Sequence, residues 1–203
     1  MNTITFDGSE ISPSKIICVG RNYVAHIEEL DNEVPEQMVV FGKPNSAILG
    51  ELHSSLGGEA LHYEAEIALL IKAGEPVAAG FGLDLTKREL QGKLKAKGLP
   101  WERAKAFDGA ALFSSFTAIE NTAALSLQLL VNDELRQSGG VELMMYPPAE
   151  ILAQLRAFTT LEDGDIVMTG TPAGVGRVHT GDRFTGRVLQ GSRILVEHSW
   201  QAL

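Results

Sequence analysis

Cysteine, clusters of positive charge and long apolar runs are scarce in this sequence of 203 residues. The single cysteine, Cys18, excludes a disulfide within the chain, and its apolar neighbours predict a buried strand residue in a reducing compartment. No Lys/Arg cluster exceeds two residues and the formal net charge is −9, which argues against nucleic acid and anionic membranes as partners. Because the N-terminus lacks a signal-type apolar segment and no apolar run has the length of a membrane span, we expect a soluble, cytoplasmic protein.

The length of the chain and its short apolar runs, separated by Gly, Pro, Asn and Asp, predict one β-rich, mixed domain over residues 1–203 with a few short helices. Apolar runs bounded by turn residues predict strands at Lys15–Val19, Met38–Phe41, His62–Ile71, Ser126–Val131, Ile166–Thr169 and Ile194–Glu197. Asn132, Asp133 and Glu134 are expected to form the turn of a hairpin between Leu127–Val131 and Leu135–Gln137. Helices are predicted at Val24–Leu30, Lys87–Lys97 and Pro148–Ala157.

Two glutamates one residue apart, Glu64 and Glu66, lie in the strand predicted at His62–Ile71, whose other residues are mainly apolar. Side chains alternate between the two faces of a strand, so both carboxylates are expected on one face. Two ionised carboxylates held together away from water cost several kcal/mol unless a partner compensates their charge. A divalent cation is the natural partner, and a solvated strand face is the alternative explanation of this spacing.

A third carboxylate, Asp84, also has apolar neighbours and precedes the helix predicted from Lys87. Thr86 and Glu89 have the spacing of a capping box, which would begin this helix and place Asp84 at a junction between strand and helix. Three carboxylates without a nearby cysteine favour Mg²⁺ or Mn²⁺ over zinc.

The glycine-rich segment from Thr169 to Gly176 follows a predicted strand. It lacks the Gly-Lys-Ser/Thr ending of a P-loop and the Gly-x-Gly-x-x-Gly pattern of a dinucleotide site, so we reject both interpretations. Two readings remain: a loop that brings backbone N–H groups and the Thr171 hydroxyl to a small ligand, and a purely structural turn.

Taken together, several segments resemble the fumarylacetoacetate hydrolase superfamily, in the form of its small acylpyruvate-hydrolase-like members. They occur in the expected order over residues 15–176. The matching stretches are Cys18-Val19-Gly20-Arg21-Asn22-Tyr23 with His26, Phe41-Gly42-Lys43-Pro44, His62-Tyr63-Glu64-Ala65-Glu66, Leu83-Asp84-Leu85-Thr86 with Arg88 and Gln91, Pro100-Trp101 with Ala104-Lys105-Ala106-Phe107-Asp108, Val131-Asn132 with Leu135-Arg136-Gln137, and Gly164-Asp165-Ile166 followed by Thr169-Gly170-Thr171-Pro172 and Gly174-Val175-Gly176.

This resemblance implies a mixed β-roll or β-sandwich of the α+β class, a homodimer, and one divalent cation held by Glu64, Glu66 and Asp84. It also implies a His–Glu pair that activates water. His26 and Glu29 fit that role because they are three residues apart, within reach on one helix face.

The implied activity is hydrolysis of a carbon–carbon bond in an acylpyruvate such as fumarylpyruvate or acetylpyruvate. The cation, Mg²⁺ or Mn²⁺, would stabilise the departing enolate, and Lys105 would stabilise the developing oxyanion or the substrate carboxylate. Arg21, Arg88 and Gln91 are candidate anchors for the small anionic 2-oxo acid, with Thr171 as a further binding residue. An ordinary surface ion pair is the alternative for one of the two arginines.

Other activities remain open at this stage. The same enolate chemistry would serve an oxaloacetate decarboxylase or a 2-hydroxy-dienoate isomerase, and a catalytically silent metal-binding protein is the non-enzymatic alternative. The polar composition of residues 26–36 further predicts a lid that closes over a bound 2-oxo acid.

Overall fold

The computed structural model describes residues 1–29 and 33–203. The helices are α1 (Val24–Glu29), α2 (Arg88–Ala96), α3 (Glu102–Lys105) and α4 (Pro148–Arg156), with short 3-10 turns at Asn45–Ala47 and Val141–Leu143. The strands are β1 (Ile4–Phe6), β2 (Ser9–Ile11), β3 (Lys15–Gly20), β4 (Val39–Pro44), β5 (Ser55–Leu56), β6 (Glu59–Ala60), β7 (His62–Tyr63), β8 (Ala65–Lys72), β9 (Glu75–Asp84), β10 (Ala111–Phe113), β11 (Thr117–Ala118), β12 (Leu125–Val131), β13 (Glu134–Gly140), β14 (Ile166–Met168), β15 (Gly176–Arg177), β16 (Arg183–Gln190) and β17 (Arg193–Gln201).

The architecture is a curled, mixed sheet packed against a smaller antiparallel one, as the β-rich α+β prediction requires. The larger sheet has the order β10-β9-β8-β14-β3-β4, with β11 also paired to β9, and the smaller has the order β13-β12-β16-β17. β14 runs parallel to β3 and antiparallel to β8, which makes the larger sheet mixed.

The main core fills the space between the two sheets. Ile67 and Phe81 of the larger sheet belong to the same buried cluster as Leu127 and Phe184 of the smaller one. The ring of Phe81 packs so closely on β16 that a Cβ at Gly186 would meet it at 2.3 Å. This glycine is therefore required by the close approach of the two sheets.

Most predicted elements are present, with shifted ends. The predicted hairpin is confirmed with a shorter turn: Asn132 and Asp133 have the positive φ of a two-residue turn between β12 and β13, and Glu134 already belongs to β13. The strand predicted at His62–Ile71 is interrupted at Glu64, between β7 and β8. Of the helix predicted at Val24–Leu30, α1 covers Val24–Glu29, and Leu30 lies outside the described residues.

The predicted capping box is wrong. Helix α2 begins at Arg88 after Lys87, and no side chain caps it. The Thr86 hydroxyl is instead used in the interior, where it donates to Glu64 Oε1 at 3.2 Å and accepts a hydrogen bond from Lys105 Nζ at 2.6 Å. A buried carboxylate and a buried ammonium group thus take the hydroxyl that would have capped the helix.

No helix in the described part of the chain is long and apolar enough to span a membrane.

Candidate active site

Three buried carboxylates, Glu64, Glu66 and Asp84, meet where β8 and β9 pair. Each offers one oxygen, and these oxygens lie within 4.8 Å of one another. Glu66 lies on β8 opposite Gly82, and the backbone N–H of Asp84 bonds to the carbonyl of Glu64, so the strand register itself brings the three together. The arrangement agrees with the placement expected from side-chain alternation and from the strand end at Asp84.

Two of these carboxylates have cationic neighbours. Lys105 Nζ lies 3.0 Å from Glu64 Oε2 and 2.8 Å from Asp84 Oδ2, and Arg88 forms an ion pair with Glu64 Oε1. Burial alone would raise the pKa of Glu64, but the charges of Lys105 and Arg88 lower it well below its usual range. Burial likewise opposes the charged form of Lys105, yet Asp84 and Glu64 raise its pKa, so Lys105 stays protonated.

Glu66 is in the opposite electrostatic situation. Burial and then the negative charges of Asp84 and Glu64 raise its pKa well above the usual range, although the N–H of Gly170 donates to Glu66 Oε2 at 2.6 Å. The glycine at position 170 has a φ of +99°, and a Cβ there would meet Asn22 at 2.7 Å. Glycine therefore lets this backbone approach the carboxylate.

These residues fit a divalent cation. The donor set is three carboxylates, the ligand type that Mg²⁺ and Mn²⁺ prefer, and it contains one group whose charge the protein leaves incompletely compensated. Asp84 Oδ1 is buried and has no hydrogen-bond partner among the described residues, although the Lys43 ammonium lies 2.8 Å away. A bound cation would compensate the charge of Glu66, the one carboxylate of the three that has no ion-pair partner among the described residues.

The His–Glu pair lies at the same cleft. His26 Nδ1 lies 3.3 Å from Glu29 Oε2, and the other oxygen of Glu29 accepts a hydrogen bond from the N–H of Gly174 at 2.9 Å. The glycine-rich loop after β14 thus serves the site twice, through Gly170 at Glu66 and through Gly174 at Glu29. His26 is buried and lines the cleft together with Glu64.

The cleft beside the carboxylates brings together most of the residues predicted to bind substrate. It is lined by Gly20, Arg21, His26, Phe41, Glu64, Arg88, Gln91, Lys95, Trp101 and Lys105. Arg88 donates to Gln91 Oε1 at 2.9 Å in addition to its ion pair with Glu64, so it is part of the interior network rather than an ordinary surface pair. Arg21 has a φ of +55°, an uncommon backbone conformation for a residue other than glycine, and it donates to the carbonyl of Glu33.

One predicted binding residue lies elsewhere. Thr171 is buried, its hydroxyl accepts a hydrogen bond from Gln137 Nε2 at 2.8 Å, and it is not among the residues that line the cleft. The prediction for Thr171 therefore stays a prediction. Of the lid predicted at residues 26–36, residues 30–32 lie outside the described residues, and α1 is held to the glycine-rich loop through Glu29.

Sequence reasoning missed two lysines of this region. Lys95 follows Arg88 and Gln91 at helical spacing on α2 and lines the cleft, a pattern that the sequence does contain. Lys43 is buried beneath the site, next to Asp84. It carries no local signal, because β4 and β9 are separated by three strands in the sheet order and only the curl of the sheet brings Lys43 to Asp84.

The family model described as fumarylacetoacetate (FAA) hydrolase C-terminal matches residues 15–198. The oxaloacetate tautomerase YcgM of Escherichia coli (strain K12) is 41% identical over 192 residues, which cover 85% of this chain and 87% of that protein. The mitochondrial oxaloacetate tautomerase FMP41 of Saccharomyces cerevisiae is 35% identical and matches over 92% of this chain and 91% of its own.

Solved structures are similarly close. A structure from Oleispira antarctica matches with a TM-score of 0.94 and 33% identity, over 100% of both chains. The fumarylpyruvate hydrolase of Pseudomonas aeruginosa, solved in complex with Mn²⁺ and pyruvate, matches with a TM-score of 0.88 and 29% identity, over 100% of this chain and 95% of that one.

Proposed function

This chain belongs to the fumarylacetoacetate hydrolase family, and we propose on that basis that it is a metal-dependent enzyme that interconverts the enol and keto forms of oxaloacetate. The relatives named oxaloacetate tautomerases support this choice, since they match over most of their own length at 35–41% identity. The observation that carries the proposal is a buried carboxylate triad and a His–Glu pair that share one cleft.

The chemistry is a proton transfer: a proton leaves the 2-hydroxyl group of the enol and a proton is added at carbon 3, without net change in composition. Glu64, Glu66 and Asp84 would hold Mg²⁺ or Mn²⁺. When bound, such a cation supplies Lewis-acid stabilisation of the negative charge on the 2-oxo oxygen.

His26 is the group placed to move the proton. When neutral His26 donates Nδ1–H to Glu29, its other ring nitrogen, Nε2, is unprotonated and can take the proton. Gly174 in turn holds Glu29, so the orientation of the imidazole depends on the glycine-rich loop. A positioned general base of this kind contributes roughly 10²–10⁴-fold to rate.

The cationic residues of the cleft suit a substrate with two carboxylates. Lys105 and Arg88 lie at the inner end beside the triad, and Arg21 and Lys95 also line the cleft. This concentration of positive charge contrasts with the net charge of −9 of the whole chain. A 2-oxo dicarboxylate would place one carboxylate at the inner end and the other near Lys95.

Hydrolysis of an acylpyruvate is the second candidate. The same His26–Glu29 pair would deprotonate water for attack on the distal carbonyl, and the similar structure from Pseudomonas aeruginosa is a fumarylpyruvate hydrolase. Oxaloacetate decarboxylation uses the same site without an attacking water.

One set of assays separates these reactions. The protein loaded with Mn²⁺ is given enol-oxaloacetate, whose absorbance falls as the keto form appears, while release of pyruvate reports decarboxylation. Acetylpyruvate and fumarylpyruvate are tested in parallel. We expect the enol signal to decay much faster than pyruvate is released; faster cleavage of either acylpyruvate would replace the tautomerase proposal by the hydrolase.

A further inference from the structure

Lys43 is a lysine with almost no contact with solvent. It lies on β4 with 1% of its surface exposed and is among the largest fully buried side chains. An ammonium group removed from water costs several kcal/mol unless it is paired, so its neighbours must compensate this charge.

Its neighbours are two residues of the site. Lys43 Nζ lies 2.8 Å from Asp84 Oδ1 and donates to the main-chain carbonyl of Lys105. Lys105 Nζ lies 2.8 Å from the other oxygen of Asp84, so this carboxylate sits between two ammonium groups. Lys43 does not line the cleft and has no route to a substrate there.

We propose that Lys43 is a positioning residue that compensates the charge of Asp84 from beneath the site and anchors the end of α3 that carries Lys105. The contact with Asp84 lacks hydrogen-bond geometry, so it acts as a charge rather than as a directed bond. The bond to the Lys105 carbonyl is directed, and it fixes the backbone from which the Lys105 ammonium reaches Glu64 and Asp84.

The charge count shows why a buried lysine is useful here. With all three carboxylates ionised, three cations, Lys43, Lys105 and Arg88, balance their total charge, although each of these cations pairs with Glu64 or Asp84 and none with Glu66. A divalent cation then gives the site two positive charges, which match a dianionic substrate. Without Lys43 the metal-free site has one uncompensated negative charge, and the cation is attracted more strongly.

The test compares Lys43→Met with Lys15→Met. Lys15 Nζ lies 2.5 Å from Asp165, a buried aspartate away from the carboxylate triad, so its removal is a matched loss of one lysine from one buried carboxylate. Thermal unfolding is measured without metal and with saturating Mn²⁺, and the Mn²⁺ dissociation constant is measured by calorimetry. These readouts do not depend on the proposed reaction.

We expect Lys43→Met to lower the melting temperature without metal, to gain a larger Mn²⁺-induced shift than the unsubstituted protein, and to bind Mn²⁺ at least about tenfold more tightly. Its kcat for enol-oxaloacetate should fall at least about tenfold, because Lys105 loses its anchor. Lys15→Met should lower the melting temperature by the same amount without metal and with saturating Mn²⁺. Its kcat and its Mn²⁺ affinity should equal those of the unsubstituted protein. Unchanged or weaker Mn²⁺ binding by Lys43→Met, or an unchanged kcat, would overturn the proposal.

A double substitution keeps the proposal testable if Lys43→Met does not fold. Replacing Asp84 by Asn as well removes the negative charge that Lys43 compensates, so Lys43→Met with Asp84→Asn should fold and be more stable than Lys43→Met alone. If the double variant is no more stable than Lys43→Met, Lys43 contributes by packing, and the proposal that it compensates the charge of Asp84 is wrong.

Discussion

Replacing Glu66 by Gln should make the metal-free protein more stable and the metal-loaded protein less stable. Burial and the charges of Asp84 and Glu64 raise the pKa of Glu66, so the ionised form is a liability when no cation is bound. Glutamine has nearly the same shape, and its amide oxygen can still accept the hydrogen bond from the N–H of Gly170. The substitution therefore removes a charge with little change in packing.

The expected gain in stability of metal-free Glu66→Gln follows from the linkage between proton binding and folding. The folded-state pKa of Glu66 lies above the unfolded value of about 4.5, so between the two values the folded state binds more protons. The stability of the unsubstituted protein then decreases as pH rises through this window, by at most about 1.4 kcal/mol per pH unit from this group. Glu66→Gln lacks this loss, and its advantage grows with pH.

With metal bound, Glu66→Gln should instead be less stable than the unsubstituted protein. A ligand that binds only the folded state adds about 2.7 kcal/mol when its concentration is about one hundred times its dissociation constant. For a domain of this size that corresponds to an increase in melting temperature of about 5–11 °C. Glu66→Gln removes one of three charged ligands and should lose most of this gain.

The assay is thermal unfolding at several pH values, with chelator and with Mn²⁺, for the unsubstituted protein, Glu66→Gln and Glu64→Gln. Glu64→Gln is the matched control: the pKa of Glu64 is lowered by Lys105 and Arg88, and its loss takes the carboxylate partner from Arg88 and leaves Lys105 paired with Asp84 alone. This variant should therefore be less stable than the unsubstituted protein when no metal is bound. If Glu66→Gln is also less stable than the unsubstituted protein in chelator, or keeps the full Mn²⁺ shift, the reasoning is wrong.

Three further predictions concern catalysis and substrate binding. His26→Ala should reduce tautomerisation by about two to four orders of magnitude while Mn²⁺ affinity, measured by calorimetry, stays nearly unchanged; equal losses in both would assign His26 to the metal site. Lys95→Met should raise the KM for oxaloacetate about three- to tenfold without changing inhibition by pyruvate, which has one carboxylate, and Lys93→Met on the same helix should change neither. Saturating oxalate should protect residues 26–36 from hydrogen exchange if this segment is a lid, and unchanged protection would contradict the lid.

The carboxylate triad could be predicted because its signal is local. Glu64 and Glu66 alternate with apolar residues in the sequence, Glu64 just before β8 and Glu66 within it, and Asp84 ends the next strand, β9. The prediction of a capping box was wrong because of tertiary contacts: the Thr86 hydroxyl forms hydrogen bonds with Glu64 and Lys105. Local patterns identify which residues are buried, but they do not show which partner a buried hydroxyl will choose.

The long strand β9 was not predicted because it contains residues that usually end strands. β9 includes a proline and two glycines, and a Cβ at Gly82 would meet Met168 at 2.9 Å, so these glycines reflect close packing within the fold. The role of Lys43 was missed for a similar reason. Its neighbours in sequence contain no carboxylate. Three strands lie between β4 and β9 in the sheet order, so Asp84 meets Lys43 only because the sheet curls.

Glu64 and Glu66 differ in how far nearby cations compensate their charge, and this difference identifies the proton that competes with the metal ion. Lys105 and Arg88 pair with Glu64, whereas no lysine or arginine of the described residues lies within ion-pair distance of Glu66. Below the raised pKa of Glu66, Mn²⁺ must displace a proton from this carboxyl, so its affinity should fall about tenfold per pH unit. Activity should therefore fall on the acidic side as Glu66 takes up this proton. Calorimetry in buffers of different ionisation enthalpy should detect about one proton released per Mn²⁺ bound in this range, with the same result for His26→Ala; if no proton is released, Glu66 is already ionised and its charge is compensated by the protein.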